Sequence, residues 1–133
     1  MKFIIHTDGG ARGNPGPAAI GVVIEDSGRK TITEFGKRIG VTTNNVAEYT
    51  AVREALRSIK KEEGIEVDFF LDSTLVTNQL NGRFKVKDMK LRELLFDIRS
   101  LEQGLGGNIH YHVIPREQNR RADFLVNRAL DNF

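Results

Sequence analysis

Four acidic residues stand at positions where no single ordinary duty accounts for all of them. Asp8 halts the apolar run "FIIHT", and Asp72 halts "EVDFFL". Glu48 lies four residues before Val52, seven before Ala55 and eight before Leu56, on the apolar stripe of a helical segment. Asp123 lies three residues before Val126 and seven before Leu130, flanking the inward side of another. Each alone has a plain structural reading. An aspartate opens turns. Glu48 can close a capping box with Asn45 as N-cap, and Asp123 in a first helical turn complements the helix dipole. Together they read differently. Two carboxylates about 4 Å apart repel by about 4 kcal/mol at an effective dielectric near 20, so a convergent group requires protons or cations. Oxygen ligands without His or Cys suit Mg²⁺ or Mn²⁺. Two such ions held by shared carboxylates perform in-line phosphoryl displacement.

Convergence demands a particular order of elements. Residues 2–8 and 18–26 read as strands, joined by "GNPGP", where Pro15 and Gly16 suit a type II turn. Residues 30–39 form a third strand. The segment "TTNNVAEYTAVREALRSIKKEE" has helical period and is expected to stop at Gly64. Strand 66–72, a short helix over 73–81, a helix over 88–103, strand 108–115 and a helix over 120–131 follow. Three meandering strands and then strand–helix alternation specify an α/β fold: a five-stranded mixed sheet flanked by helices, the first three strands antiparallel. A right-handed crossover places the fourth strand parallel to the first. Asp8 and Asp72 then share one sheet edge at a switch point, where ligands bind.

The chain of 133 residues reads as a single domain, 1–133, with 39% hydrophobic and 29% charged residues. No apolar stretch is long enough for a membrane helix, and a cytoplasmic location without membrane association is expected. Cysteine is absent, which excludes disulfides, thiolate metal sites and a cysteine nucleophile. The net charge of +2 permits a nucleic-acid partner through local patches. Arg83, Lys85, Lys87 and Lys90 surround Phe84 as one such patch. Arg120 and Arg121 open the last helix, where cations oppose the dipole and call for a nearby anion, either Asp123 or a substrate phosphate. His6, His110 and His112 share no ligand pattern and read as packing residues.

Four motifs, "TDGGARGNPGPAAIGVV", "TTNNVAEY", "LDSTLVTNQLNG" and "REQNRRAD", occur in this order with family-like spacing. On them the chain resembles type 1 ribonuclease H. The resemblance implies the ribonuclease H-like fold and an endonuclease that hydrolyses the RNA strand of RNA/DNA hybrids, leaving 3′-hydroxyl and 5′-phosphate ends. It implies two Mg²⁺ per site, with Mn²⁺ as a substitute, held by Asp8, Glu48, Asp72 and Asp123. It further implies that Asn14, Asn44 and Asn45 line the minor groove of the hybrid, and that Thr43 with Asn45 grips a DNA phosphate. A wide, shallow minor groove with 2′-hydroxyls suits short amide side chains.

The chain departs from many members in three ways. Arg116 stands where a loop histidine is common; a related subgroup is similar to this chain in having Arg there, which implies a catalytic role for Arg116 on the phosphate. Thr74 replaces a substrate-contacting glutamine and shortens that contact. A basic, tryptophan-bearing handle is absent, since only "NGRFKVKDMK" separates the two middle helices. A monomer is expected, with double-stranded RNA as a second candidate substrate. A hybrid-binding module without cleavage, and a resolvase- or integrase-like nuclease, are the competing readings.

Overall fold

A computed structural model describes residues 1–132; Phe133, the end of the expected domain, lies outside the described residues. The elements are β1 (Lys2–Ala11), β2 (Gly16–Asp26), β3 (Thr31–Thr42), α1 (Asn44–Arg57), β4 (Glu66–Leu71), α2 (Thr74–Leu80), α3 (Met89–Gly104), β5 (Ile109–Val113), a 3-10 turn (Arg116–Gln118) and α4 (Arg120–Asp131). The five strands form one sheet in the order β3-β2-β1-β4-β5. β1–β2 and β2–β3 are antiparallel, whereas β1–β4 and β4–β5 are parallel. This is the mixed sheet expected from the element order.

One sheet face carries the main core. Ile5, Val22, Val67, Phe69 and Leu71 pack there against Tyr49, Val52 and Leu56 of α1 and Leu94 and Ile98 of α3. The other face receives α4, whose Leu125 and Ala122 meet Val23 while Val126 and Leu130 meet Ala19. α4 lies close because Gly21 and Gly36, paired across β2 and β3, put no side chain beneath it. A Cβ on Gly21 would come within 2.2 Å of the Ala122 carbonyl, and one on Gly36 within 2.4 Å of that of Leu125. Beyond α4 the same face carries a row of rings. Phe70 is stacked between His6 and His112, with centroids 5.2 and 5.1 Å apart. Two of the three histidines thus pack as expected, and His112 also bonds Asp68 at 2.9 Å.

The structure differs from expectation at several element ends, among them β3, which runs to Thr42 rather than to residue 39. β1 does not stop at Asp8 but continues to Ala11, because Gly9 and Gly10 still pair with Ile20 and Ala19. The loop that follows is short, and Pro15–Gly16 is not a type II turn. Gly16 already pairs with Thr42 in the sheet, and the left-handed glycine is Gly13, at φ +92°. α1 ends at Arg57 rather than near Gly64. Lys60 to Gly64 are all exposed, so no apolar side chain there holds a further turn against the core. The Ser58 hydroxyl instead donates to the Glu54 carbonyl at 2.8 Å as the helix closes. Gly64, at φ +70°, turns the chain toward β4.

Among the described residues no helix is long and apolar enough to cross a membrane.

Candidate active site

The site lies where β1 and β4 part. Their pairing runs to His6 and Phe70, and two residues further the register sets Asp8 opposite Asp72. α1 arrives over the same point because Gly9 admits its backbone. A Cβ there would lie 2.3 Å from the Ala47 carbonyl carbon and 2.5 Å from the Glu48 nitrogen. Glu48 therefore enters from above, and one carboxylate oxygen from each of Asp8, Glu48 and Asp72 lies within 4.8 Å of the others. Asp8 and Glu48 are buried, at 8% and 7% exposure.

The capping-box reading of Glu48 fails. The N-cap of α1 is Thr43, whose hydroxyl accepts from the Val46 amide at 3.3 Å, so Glu48 lies beyond the capping position. Its Oε2 is buried without a hydrogen-bond partner. Burial raises the Asp8 carboxyl to about 7, and the charges of Asp72 and Asp123 add to the effect. Burial also pushes Glu48 well above the carboxylate range, followed by the charges of Asp8 and Asp72. Two buried carboxyls and a half-buried one, with an orphaned oxygen among them, fit a hard divalent cation.

These carboxylates line an open cleft of about 480 Å³. Asp123, on α4, is exposed on its wall and outside the tight group of three, with Asn127 Nδ2 3.4 Å from its Oδ1. Asn44, Asn45 and Arg116 also line the cleft, Arg116 from the exposed 3-10 turn. Asn14 and Thr43 do not line it but hold its rim. The Asn14 side chain accepts from the Asn44 amide at 3.0 Å, and the Asn44 side chain accepts from the Ala11 amide at 2.8 Å. Thr74 is exposed at the start of α2, beside the cleft-lining Ser73 that caps that helix.

One residue was missed. Asn119 sits at the N-cap of α4 yet makes no side-chain cap bond. It is 1% exposed, and its Nδ2 donates to Asp72 Oδ2 at 3.1 Å and to the Thr7 carbonyl at 2.9 Å. Its type and place before α4 are those of a helix cap, so nothing local in the sequence signals the bond to Asp72. Arg121 likewise pairs elsewhere than expected, with Glu34 at 2.7 Å and over the Phe124 ring.

Known proteins resemble this chain in sequence and fold. The profile of the reverse transcriptase-like family matches residues 6–129. The "Bifunctional protein Rv2228c" of Mycobacterium tuberculosis is 40% identical over 132 residues, covering 98% of this chain and 36% of that protein. "Ribonuclease HI" of Halobacterium salinarum is 41% identical over 127 residues, covering 96% of this chain and 63% of that protein. The chain thus spans only about a third to two-thirds of these relatives' lengths. LC11-RNase H1, isolated from compost, superimposes with a TM-score of 0.91 at 47% identity, over 98% of this chain and 96% of its own. The same protein has also been solved with an RNA/DNA hybrid, at 45% identity and a TM-score of 0.89, over 97% of this chain and 96% of that one. With this likeness running end to end in sequence and fold, the chain belongs to the type 1 ribonuclease H family.

Proposed function

We propose that this chain is a metal-dependent endonuclease that cleaves the RNA strand of RNA/DNA hybrids. The carrying observation is the buried meeting of Asp8, Glu48 and Asp72 within 4.8 Å at the wall of an open cleft. The hybrid complex of LC11-RNase H1 supports the choice of substrate. Asp8, Glu48 and Asp72 would hold two divalent cations, Mg²⁺ in this reading, with Asp123 completing the set from the rim. Such ions, when bound, supply an activated water and stabilise the leaving oxygen of an in-line displacement, which leaves 3′-hydroxyl and 5′-phosphate ends.

The chain's own residues prepare that chemistry. Asp8 and Glu48, raised by burial and by their neighbours' charges, hold protons that a cation displaces. Asn44 and Asn45 present amides at the start of α1 to the minor groove, while Asn14 fixes that rim through its bond to Asn44. Thr43 orders the first turn of α1, where backbone amides favour a DNA phosphate. Arg116 offers its guanidinium to the phosphates at the cleft. Thr74 is short enough to make only a peripheral contact.

A labelled hybrid incubated with Mg²⁺, with EDTA and with Asp72→Asn protein tests the proposal, beside single-stranded RNA, double-stranded RNA and duplex DNA. Hybrid cleavage that needs the metal and Asp72 is the expected result. Binding without cleavage in saturating Mg²⁺ would leave a hybrid-binding module in its place.

A further inference from the structure

The cleft is strongly acidic for a site that must admit a polyanion. Asp8, Glu48, Asp72 and Asp123 line it, against two basic residues, Arg116 and Arg12. Arg12 lies on the loop after β1, and its placement is fixed from both sides. Its amide donates to the Pro17 carbonyl at 2.8 Å, and the preceding amide of Ala11 donates to the Asn44 side chain at 2.8 Å. Its guanidinium does not reach into the carboxylates. It pairs with Asp131 at 2.6 Å, and the two side chains are 48% and 62% exposed.

This pair is poorly explained as a stabilising device. Exposed ion pairs contribute little in water. Asp131 is the last residue of α4, where a negative charge opposes the helix dipole. A phosphodiester matches a guanidinium in charge and in bidentate geometry, so substrate can displace so exposed a carboxylate.

We infer that Arg12 contacts a backbone phosphate of the bound nucleic acid, and that Asp131 competes with that phosphate for the guanidinium in the free protein. The inference rests on the nuclease reading above. Asp131 then acts as a placeholder that keeps Arg12 extended along the cleft rim and weakens binding by its competition.

Steady-state cleavage of a labelled RNA/DNA hybrid over a range of salt concentrations tests this with four proteins: wild type, Arg12→Ala, Asp131→Asn and the double variant. Arg12→Ala should raise KM by roughly three- to tenfold and reduce the salt slope of log KM by about 1, with kcat within about twofold. Arg12→Lys should restore part of that slope. Asp131→Asn should lower KM by about two- to threefold, and should do nothing once Arg12 is gone. A purely structural latch predicts the opposite pattern, with both single variants raising KM together. That result, or an unchanged KM and salt slope in Arg12→Ala, overturns the inference.

Fluorescence anisotropy with the hybrid in an Asp72→Asn background separates the two levels. If wild type cleaves no hybrid yet Arg12→Ala still weakens binding there, the nuclease reading falls and the contact stands. If cleavage is normal and Arg12→Ala binds as tightly as its parent, the contact falls and the nuclease reading stands.

Discussion

Asn119 holds Asp72 to the backbone of β1. One amide nitrogen donates both to the Asp72 carboxylate at 3.1 Å and to the carbonyl of Thr7, the residue before Asp8, at 2.9 Å. The spacing between the two aspartates is thereby tied to a third, buried residue. Asn119→Ala should cost about 1–3 kcal/mol, because it leaves a buried carbonyl unpaired. It should also lower kcat or divalent-cation affinity by about 10- to 100-fold. Titrating activity with Mg²⁺ separates these effects. A lower Tm with an unchanged cation titration would reduce Asn119 to a packing residue.

The cation-free protein should lose stability as pH rises. Asp8 ionises at about 7 in the native state, because of burial first and then the charges of Asp72 and Asp123. Glu48 is displaced in the same direction. In the unfolded chain both ionise near ~4. Between those limits the native state carries more protons than the unfolded one, so this contribution is full at the acid end and is lost on the way to about pH 7. Tm in EDTA should therefore fall between about pH 5 and pH 8, and Asp8→Asn should flatten the decline. Saturating Mg²⁺ should remove it by mass action. A flat wild-type profile in EDTA would show that neither burial nor the neighbouring charges raise these carboxyls.

Glu48→Gln should trade activity for stability. The amide is nearly isosteric, cannot take on a negative charge beside Asp8 and Asp72, and gives the orphaned Oε2 position a permanent donor. Cation-free stability should rise by roughly 1–2 kcal/mol while cleavage drops to background. Calorimetry and the hybrid assay together check this; a destabilised variant would mean that Glu48 serves the fold.

Adjacent glycines should respond very differently. Gly9→Ala would drive a methyl to 2.3 Å from the Ala47 carbonyl carbon, which requires α1 to lift and carries Glu48 away. A loss of about 3 kcal/mol or more is expected. Gly10→Ala meets nothing nearer than Val126 Cγ1 at 3.8 Å and should stay within roughly 1 kcal/mol of wild type. Denaturant midpoints of the two variants decide it. Equal midpoints would show that helix and strand are not in backbone contact.

The sheet and its acidic edge were legible in the sequence because two simple rules act there. Apolar period marks β1, α1 and β4, and the handedness of the crossover leaves one place for β4. That logic brought Asp8, Glu48 and Asp72 together, but it did not show that Asp123 stands apart from them on the cleft wall. Where the local signal and the tertiary solution differ, the sequence misled. Gly9 and Gly10 have low strand propensity, yet β2 pairs with both. The exposed residues 60–63 prolong a helical pattern with nothing to bury. Asn119 carries the chemistry of a cap, and only the fold reveals that its side chain turns inward.

The parallel pairing of β1 with β4 also has a kinetic meaning. Asp8 and Glu48 are 40 residues apart, and Asp8 and Asp72 are 64 apart. The β1–β2–β3 meander closes through short loops and can form early, but it contains a single member of the carboxylate group. The others arrive only when the α1 crossover docks and long-range strand pairing follows, a slow class of contact. The proposed nuclease activity should therefore return on refolding only once this long-range pairing is complete.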